Sequence, residues 1–265
     1  MEKNSNNKIR ESVLENFRKV ALRNSLEESS DSNCCGSTKD DLANVSDALG
    51  YSRTEYANVP EGSNMGIGCG NPQAIASLKQ GETVLDLGSG GGFDCFLASK
   101  SVGERGKVIG VDMTAEMISK ARNNAKKGHY NNTEFRLGEI EHLPVADATI
   151  DVIISNCVIN LSPEKGKVFN EAYRVLKPGG RLAISDIAAT AEFPDEFRND
   201  ISLICGCMSG ASSIEVIQTL LSNAGFSEIR IESKSKSREF IKDWRPETGI
   251  ENYIISATIE AVKKK

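Results

Sequence analysis

The stretch TVLDLGSGGGFDCFLASK, residues 83–100, decides the fold of this chain. It begins as a short apolar run, breaks at closely spaced glycines and continues as a helical pattern. Glycines in such a loop let backbone N–H groups approach a ligand, and the helix that follows adds its positive N-terminal dipole. The stretch therefore predicts a strand, a ligand-binding loop and a helix, which form the first half of a βαβ unit.

Four more β-branched runs follow and alternate with helical patterns. The predicted strands are 83–87, 107–112, 134–137, 150–156 and 181–187, and the predicted helices between them are 93–102, 114–127 and 164–176. These runs are apolar on both faces, which favours a parallel sheet covered by helices over a half-exposed antiparallel sheet. We predict an α/β fold with a doubly wound, mainly parallel sheet. A later helix at 213–224 and strands at 227–233 and 252–262 predict an antiparallel hairpin at the sheet edge.

Length and charge limit the remaining possibilities. The 265 residues can form one large domain with an appended piece, and we expect an N-terminal helix, linker and cysteine arm (1–70), a ligand-binding core (71–190) and a substrate-binding segment with the hairpin (191–265). The net charge of −5, without a basic stripe, speaks against a nucleic-acid partner. No apolar run reaches the roughly eighteen residues of a membrane span, and the N-terminus lacks a signal-peptide stretch. We therefore expect a cytoplasmic protein without membrane contact.

Acidic residues stand near the ends of three predicted strands. Asp86 precedes the glycine loop, where an acid would repel a pyrophosphate but would pair with the ammonium group of a ligand. Asp112 ends the second strand and can accept both hydroxyls of a ribose, and Glu139 follows the third strand within reach of an adenine amino group. This arrangement favours S-adenosylmethionine (SAM) over a dinucleotide, and it resembles the class I SAM-dependent methyltransferases. The predicted SAM-binding residues are Asp86, Gly88, Ser89, Gly90, Asp112, Met113, Glu139, Ile140 and Asn156.

The chain has seven cysteines and only two histidines, and the cysteines indicate a second part of the site beside the SAM-binding residues. No Cys-x-x-Cys or zinc-ribbon spacing occurs, so a structural zinc site is not expected. Cys157 directly follows the fourth strand, and the carboxyl ends of parallel strands face the ligand crevice. Cys95, in the first helix, is expected to pack in the core. The other cysteines with access to the crevice are Cys34 and Cys35 on the N-terminal arm, Cys69 before the core, and Cys205 and Cys207 after the fifth strand.

Several thiolates without histidine select a soft, thiophilic acceptor, and trivalent arsenic is one that takes three thiolates. Six motifs are similar to those of the arsenite methyltransferases, from about residue 34 to the C-terminus. They are VPEGSNMGIGCGNP (59–72), VLDLGSGGGFDCF (84–96), VIGVDMT (108–114), LGEIEHLPVAD (137–147), SNCVINLS (155–162) and RVLKPGGRLAISDI (174–187). The elements SNCVINL and GCGNP separate this family from quinone and sterol methyltransferases.

The resemblance implies an enzyme that methylates As(III) held by cysteine thiolates, with SAM as the methyl donor. By position in the motifs, Cys157 and Cys207 correspond to two arsenic-binding cysteines and Cys69 to a third. The Cys34–Cys35 pair corresponds to an N-terminal cysteine of the family. Which of these two adjacent cysteines acts stays open, as does the choice between Cys205 and Cys207.

Methyl transfer formally oxidises As(III) to As(V), so two electrons must return before another round. A disulfide between Cys69 and Cys34 or Cys35 would supply them, and thioredoxin or glutathione would regenerate the thiols. The implied partners are arsenite or methylated arsenicals, often as thiol conjugates, and a thioredoxin-type reductant. Two alternatives remain: a SAM-dependent methyltransferase of a small quinone- or lipid-like acceptor, and a non-catalytic thiol protein that senses or sequesters a metalloid.

Overall fold

The computed structural model describes residues 2–22, 39–198 and 200–265, and within these ranges eight strands form one sheet. The strands are β1 (Thr83–Leu87), β2 (Lys107–Asp112), β3 (Thr133–Leu137), β4 (Ile150–Asn156), β5 (Leu176–Ala189), β6 (Ser212–Ser213), β7 (Phe226–Lys234) and β8 (Ile254–Lys263). The helices are α1 (Glu2–Leu22), α2 (Lys39–Leu49), α3 (Arg53–Ala57), α4 (Gln73–Ala76), α5 (Phe93–Val102), α6 (Ala115–Lys127), α7 (Lys165–Val175), α8 (Asp195–Arg198), α9 (Ile201–Cys205), α10 (Ile214–Ala224) and α11 (Arg238–Ile241).

The order of the strands across the sheet is β3-β2-β1-β4-β5-β8-β7, and the short strand β6 pairs with β5. Strands β1 to β5 run parallel, whereas β8 is antiparallel to both of its neighbours, β5 and β7. The predicted mainly parallel sheet with an antiparallel C-terminal hairpin is therefore confirmed. The order reverses between β1 and β4, which is where ligands bind in open sheets of this kind.

Both faces of the sheet are buried because successive strand residues point to opposite sides. Leu85 and Ile109 belong to the core on the face covered by residues of α7 and α10, such as Phe169 and Leu221. Val84 and its neighbours contribute to a separate core on the other face, together with residues of α5 and α6. The apolar runs in the sequence thus reflect burial on two sides.

The fifth strand is longer than the predicted 181–187. Leu176 already pairs with Ile150, and the register shifts before Val152 meets Arg181, so the intervening Lys-Pro-Gly-Gly stretch (177–180) lies in an irregular start of the strand. At its other end β5 continues because β6 and β8 both pair with it. This extension brings the carboxyl end of β5 beside the segment that carries Cys207.

The N-terminal helix α1 packs against α6 and α9, across the carboxyl edge of the sheet. The Arg10 guanidinium, on this helix, pairs with the Glu141 carboxylate at 3.2 Å and also with Glu164. Cys34 and Cys35 lie outside the described residues. Across the ranges that the structure describes, no helix combines the length and apolar character needed to cross a membrane.

Candidate active site

The glycine loop lies between β1 and α5 and forms one wall of a crevice at the carboxyl edge of the sheet. Gly88 has a φ of 74°, and a Cβ at this position would come within 2.3 Å of the Val158 side chain, so only glycine is accommodated. The Asp112 carboxylate accepts hydrogen bonds from the backbone N–H of Gly90 at 2.9 Å and of Thr114 at 2.8 Å. The loop is thereby tied to the end of β2.

The structure separates the predicted SAM-binding residues into two groups. Those that line the crevice are Gly88, Gly90, Asp112, Met113, Ile140 and Asn156. Asp86 is buried behind the loop, where its carboxylate accepts a hydrogen bond from the Cys95 thiol at 3.2 Å. Ser89 is also buried outside the lining, and its hydroxyl has no hydrogen-bond partner within the described part of the chain. Glu139 is about half exposed and lies 3.8 Å from His142 Nδ1, away from the crevice wall.

Sequence reasoning missed Asp94, which lines the crevice together with Asp112 and Glu141. Asp94, in the first turn of α5, accepts a hydrogen bond from the Tyr51 hydroxyl at 2.8 Å and a longer one from Asn156 Nδ2 at 3.4 Å. Burial raises the pKa of Asp94 to about 6, although the hydrogen bonds from Tyr51 and Asn156 favour its charged form. An acid two residues after the last glycine of the loop was the available signal.

Acidic groups around the glycine loop lack basic partners. Asp86 and Asp94 are buried and Asp112 is partly buried, and within the described residues none of them forms an ion pair with lysine or arginine. Burial raises the pKa of all three, and the negative charge of Asp94 raises that of Asp86 further. The crevice is thus prepared for a ligand that carries positive charge, and it disfavours a pyrophosphate.

Three buried thiols meet beyond Asn156, the last residue of β4. Cys69, Cys157 and Cys207 belong to one apolar cluster, and the Cys207 thiol donates to the backbone carbonyl of Cys157 at 2.7 Å. The Cys69 backbone N–H donates to Asn156 Oδ1 at 3.0 Å, and its thiol lies 3.6 Å from the carbonyl oxygen of Ser185. Three segments far apart in the sequence therefore converge on one thiol cluster.

The thiols are held in the neutral form. Burial raises the pKa of Cys69 to about 11, which the hydrogen bond from the Cys157 thiol reduces only in part. The pKa of Cys207 is raised well above its usual value by its hydrogen bond to Cys157 and then by burial. For Cys157, the hydrogen bond from Cys207 lowers the pKa, but the hydrogen bond to Cys69 and burial raise it by more. A ligand that replaces a thiol proton therefore removes the cost of forming a buried, isolated thiolate at that sulfur.

The remaining cysteines occupy different environments. Cys205 is half buried and lines a cavity of about 640 Å³ whose wall also includes Cys157 and Cys207. The structure brings Cys207, and not Cys205, into hydrogen-bonding contact with Cys157. Cys95 is fully buried in the core, as its position in the first helix predicts.

The cavity lined by Cys157, Cys205 and Cys207, here called the thiol cavity, shares part of its wall with the glycine-loop crevice. Phe17, Ile67 and Cys157 line both of them, so the two spaces are neighbours across the Cys157 side chain. Helix α1 covers both, with Val13 over the crevice and Val20 over the thiol cavity. A thiophilic atom bound at Cys157 would therefore lie beside a ligand on the glycine loop.

The strand order and the glycine-loop crevice define the class I methyltransferase fold, and a family model described as a methyltransferase domain matches residues 78–225. The chain is 53% identical over 238 residues to an arsenite methyltransferase of Halobacterium salinarum, covering 90% of this chain and 60% of the relative. An arsenite methyltransferase of Aquipseudomonas alcaligenes is 44% identical over 179 residues, covering 65% of this chain and 51% of the relative. The chain thus spans about half to three fifths of the length of these curated relatives.

A crystal structure of an arsenic(III) SAM methyltransferase from Chlamydomonas reinhardtii superimposes with a TM-score of 0.61 at 35% identity, covering 83% of this chain and 73% of that one. This chain belongs to the arsenite methyltransferase family. The resemblance in the six sequence motifs is therefore confirmed.

Proposed function

We propose that this protein methylates trivalent arsenic, with SAM as the methyl donor. The observation that carries the proposal is the position of Cys157: it packs in one buried cluster with Cys69 and Cys207, and it also lines the acidic glycine-loop crevice. The three relatives described above are named as arsenite or arsenic(III) methyltransferases, which agrees with this chemistry.

The residues of the crevice fit SAM. Its sulfonium and ammonium groups are cationic, and the carboxylates of Asp94 and Asp112 have no basic partner within the described residues that would compete for them. Asp112 stands at the end of β2, where an acid accepts ribose hydroxyls, and Met113 and Ile140 provide apolar surface for an adenine. When bound, SAM supplies an electrophilic methyl group.

The thiols fit As(III) as the acceptor. Arsenic binds three soft thiolates and keeps a lone pair, and Cys69, Cys157 and Cys207 present three sulfur atoms in one buried cluster. Binding arsenite exchanges each As–OH bond for an As–S bond, and each thiol proton leaves with the hydroxide as water. This exchange relieves the raised thiol pKa values, because the sulfur atoms gain a partner without becoming isolated buried anions.

Enclosure of the site protects the reaction. Cys69 and Cys157 are almost inaccessible to solvent, and Phe17 of α1 lies over the boundary between the two spaces. The acceptor atom is thereby held away from bulk water, at the strand ends beside the methyl donor. No histidine lies near this site within the described residues, which agrees with a transfer that needs no general base.

The return of arsenic to the trivalent state requires two electrons. In our proposal the Cys69 thiol and either Cys34 or Cys35 form a disulfide and release two protons, and a thioredoxin- or glutathione-type reductant restores both thiols. Replacing Cys69, or both N-terminal cysteines, by serine should impair the first methylation more than that of an already methylated arsenical. Equal losses on both substrates would speak against the relay.

Radiolabelled SAM distinguishes the proposal from its alternatives. Transfer of the methyl group to arsenite in the presence of a thiol supports arsenic methylation. Transfer only to an organic acceptor would replace it with a quinone- or lipid-type methyltransferase. Binding of arsenite without any transfer would indicate a sensor or a sequestering protein. Speciation of the products then gives the number of methyl groups added.

A further inference from the structure

A carboxylate stands beside the thiols, and the proposed methylation makes no use of it. The Sγ atoms of Cys69 and Cys157 and a carboxylate oxygen of Asp186 all lie within 4.8 Å of one another, and all three residues are buried. Arsenic requires only thiolates, so Asp186 adds a donor of a different kind. The combination of two thiols and one carboxylate is a set that As(III) does not need.

The Asp186 side chain is held in place by its surroundings. It accepts hydrogen bonds from the backbone N–H of Ile159 at 2.9 Å and of Ile187 at 2.7 Å, and from Asn160 Nδ2 at 2.9 Å. Oδ1 accepts two of these bonds and Oδ2 accepts one, so Oδ2 keeps a free lone pair. A cation could therefore bind without displacing a protein donor from this carboxylate.

We propose that Cys69, Cys157 and Asp186 form a binding site for a divalent d¹⁰ cation, with zinc as the cellular ligand and cadmium as its larger analogue. Tetrahedral zinc at about 2.3 Å from each thiolate places two sulfur atoms about 3.8 Å apart. The observed separations are all within 4.8 Å, so the sulfur atoms need to approach each other by at most about 1 Å and the carboxylate oxygen needs to approach them by at most about 1.3 Å. A water molecule completes the fourth position.

Charge balance favours a divalent cation in this donor set. Two thiolates and one carboxylate carry three negative charges, so a divalent cation leaves one in excess. The Lys165 ammonium acts electrostatically on both Asp186 and Cys207 and offsets that excess. The whole group is then neutral in a buried site, where an unbalanced charge would be costly.

Occupation by zinc blocks the thiols that arsenic needs. This consequence for catalysis rests on the proposed function, whereas zinc binding rests only on the donor atoms. In an enzyme of this kind, zinc or cadmium competes with arsenite for the thiols. Asp186 discriminates between the two ligands, because it binds the divalent cation and not arsenic.

The first experiment measures zinc affinity by competition with a chromophoric chelator, using the full reduced chain. We expect one zinc per chain. Asp186→Asn should weaken zinc binding by about tenfold or more. Arsenite affinity, followed by the fluorescence of the single tryptophan, Trp244, in the wall of the thiol cavity, should not change in that variant. Asp151→Asn is the matched control, since Asp151 is another strand aspartate but pairs with Lys177. Equal zinc affinity in the two variants would overturn the site.

A second measurement does not depend on a variant that folds. X-ray absorption at the zinc edge of the wild-type complex should show a mixed sulfur and oxygen shell, with a carboxylate contribution. A shell of sulfur alone, or loss of zinc on gel filtration at micromolar protein, would contradict the proposal. If zinc binds as expected but arsenite is not methylated, only the proposed function fails.

Discussion

The thiol of Cys207 donates a hydrogen bond across 2.7 Å to the carbonyl oxygen of Cys157, fifty residues earlier in the chain. Both residues adopt left-handed backbone conformations, with φ of 61° for Cys207 and 58° for Cys157. Such conformations are unfavourable for residues with a Cβ, and they concentrate at functional sites where the surrounding structure enforces them. The fold therefore holds two strained residues together to build the thiol cluster.

Cys207→Ser is expected to abolish arsenite methylation and to leave SAM binding intact, because the cluster loses the thiol that contacts Cys157. The measurement is transfer of radiolabelled methyl groups, with SAM affinity from calorimetry. Cys205→Ser is the matched control and should keep activity near that of the wild type, since Cys205 is half buried and forms no hydrogen bond with Cys157. Full activity in Cys207→Ser would remove this residue from the arsenic site.

The strain at Cys157 predicts a difference between two inactive variants. The free energy of unfolding should be about 1 kcal/mol higher for Cys157→Gly than for Cys157→Ala, because alanine keeps the Cβ that disfavours a φ of 58°. Urea denaturation of the two variants measures this difference directly. Greater stability of the alanine variant would mean that the backbone relaxes when the thiol is lost.

Asp112→Asn is expected to weaken SAM binding by about 1.5–3 kcal/mol, the usual value of a hydrogen bond to a charged group. The same carboxylate also accepts bonds from Gly90 and Thr114, so part of the loss comes from a looser glycine loop. Glu134→Gln serves as the comparison, because Glu134 is about half exposed and lies outside the crevice wall. Calorimetry that shows equal losses in both variants would contradict this assignment.

SAM affinity should fall as the pH is lowered through about 6. Burial raises the pKa of Asp94 to about 6, so the carboxylate that attracts a cationic ligand becomes protonated below that pH. Each unit of pH below the pKa removes up to about 1.4 kcal/mol of this attraction. Asp94→Asn should bind more weakly at pH 7.5 and show a flatter pH profile. A wild-type affinity that stays constant between pH 7.5 and 5 would exclude a role for this carboxylate.

The same shift predicts how stability depends on pH in the ligand-free protein. The folded pKa of Asp94 lies above its usual value, so the folded state binds the proton more tightly than the unfolded state. The stabilisation of the folded state by this tighter proton binding is fully present below the usual pKa of 3.8, and it is lost as the pH rises through about 6. Urea unfolding of wild type and Asp94→Asn at several pH values between 4 and 7 tests the direction.

Arg10→Gln should loosen helix α1 and lower the free energy of unfolding by about 1–3 kcal/mol, because the buried Glu141 carboxylate loses its cationic partner. Amide exchange in residues 6–22 should increase, and SAM affinity should fall because α1 lines the crevice. Arg18→Gln removes a more exposed ion pair with Glu116 and should cost at most about 1 kcal/mol. Similar effects of the two variants would show that Arg10 does not anchor the helix.

The glycine loop and its flanking elements could be predicted closely from sequence. Helix α5 occupies residues 93–102, as predicted, because a glycine-rich break followed by an apolar helical pattern has few other solutions. The separation of Asp86 from the crevice could not be predicted. Successive side chains of a strand point to opposite faces of the sheet, and the sequence does not show which face borders the crevice. Only the packing of Cys95 against Asp86 shows that Asp86 is buried behind the loop. Asp86 and Glu139 stay predictions as SAM ligands.

What the sequence determined by itself was the fold, the family and the set of thiols available for chemistry. Strand patterning, the glycine loop and the motifs around Cys69 and Cys157 are local, so they can be recognised without coordinates. Only the tertiary structure decided that Cys207 rather than Cys205 meets Cys157, that Asp94 lines the crevice and that Asp186 stands beside the thiols. Those relationships join strand ends and loops distant in the chain, and their geometry depends on strand order and packing, which no local pattern encodes.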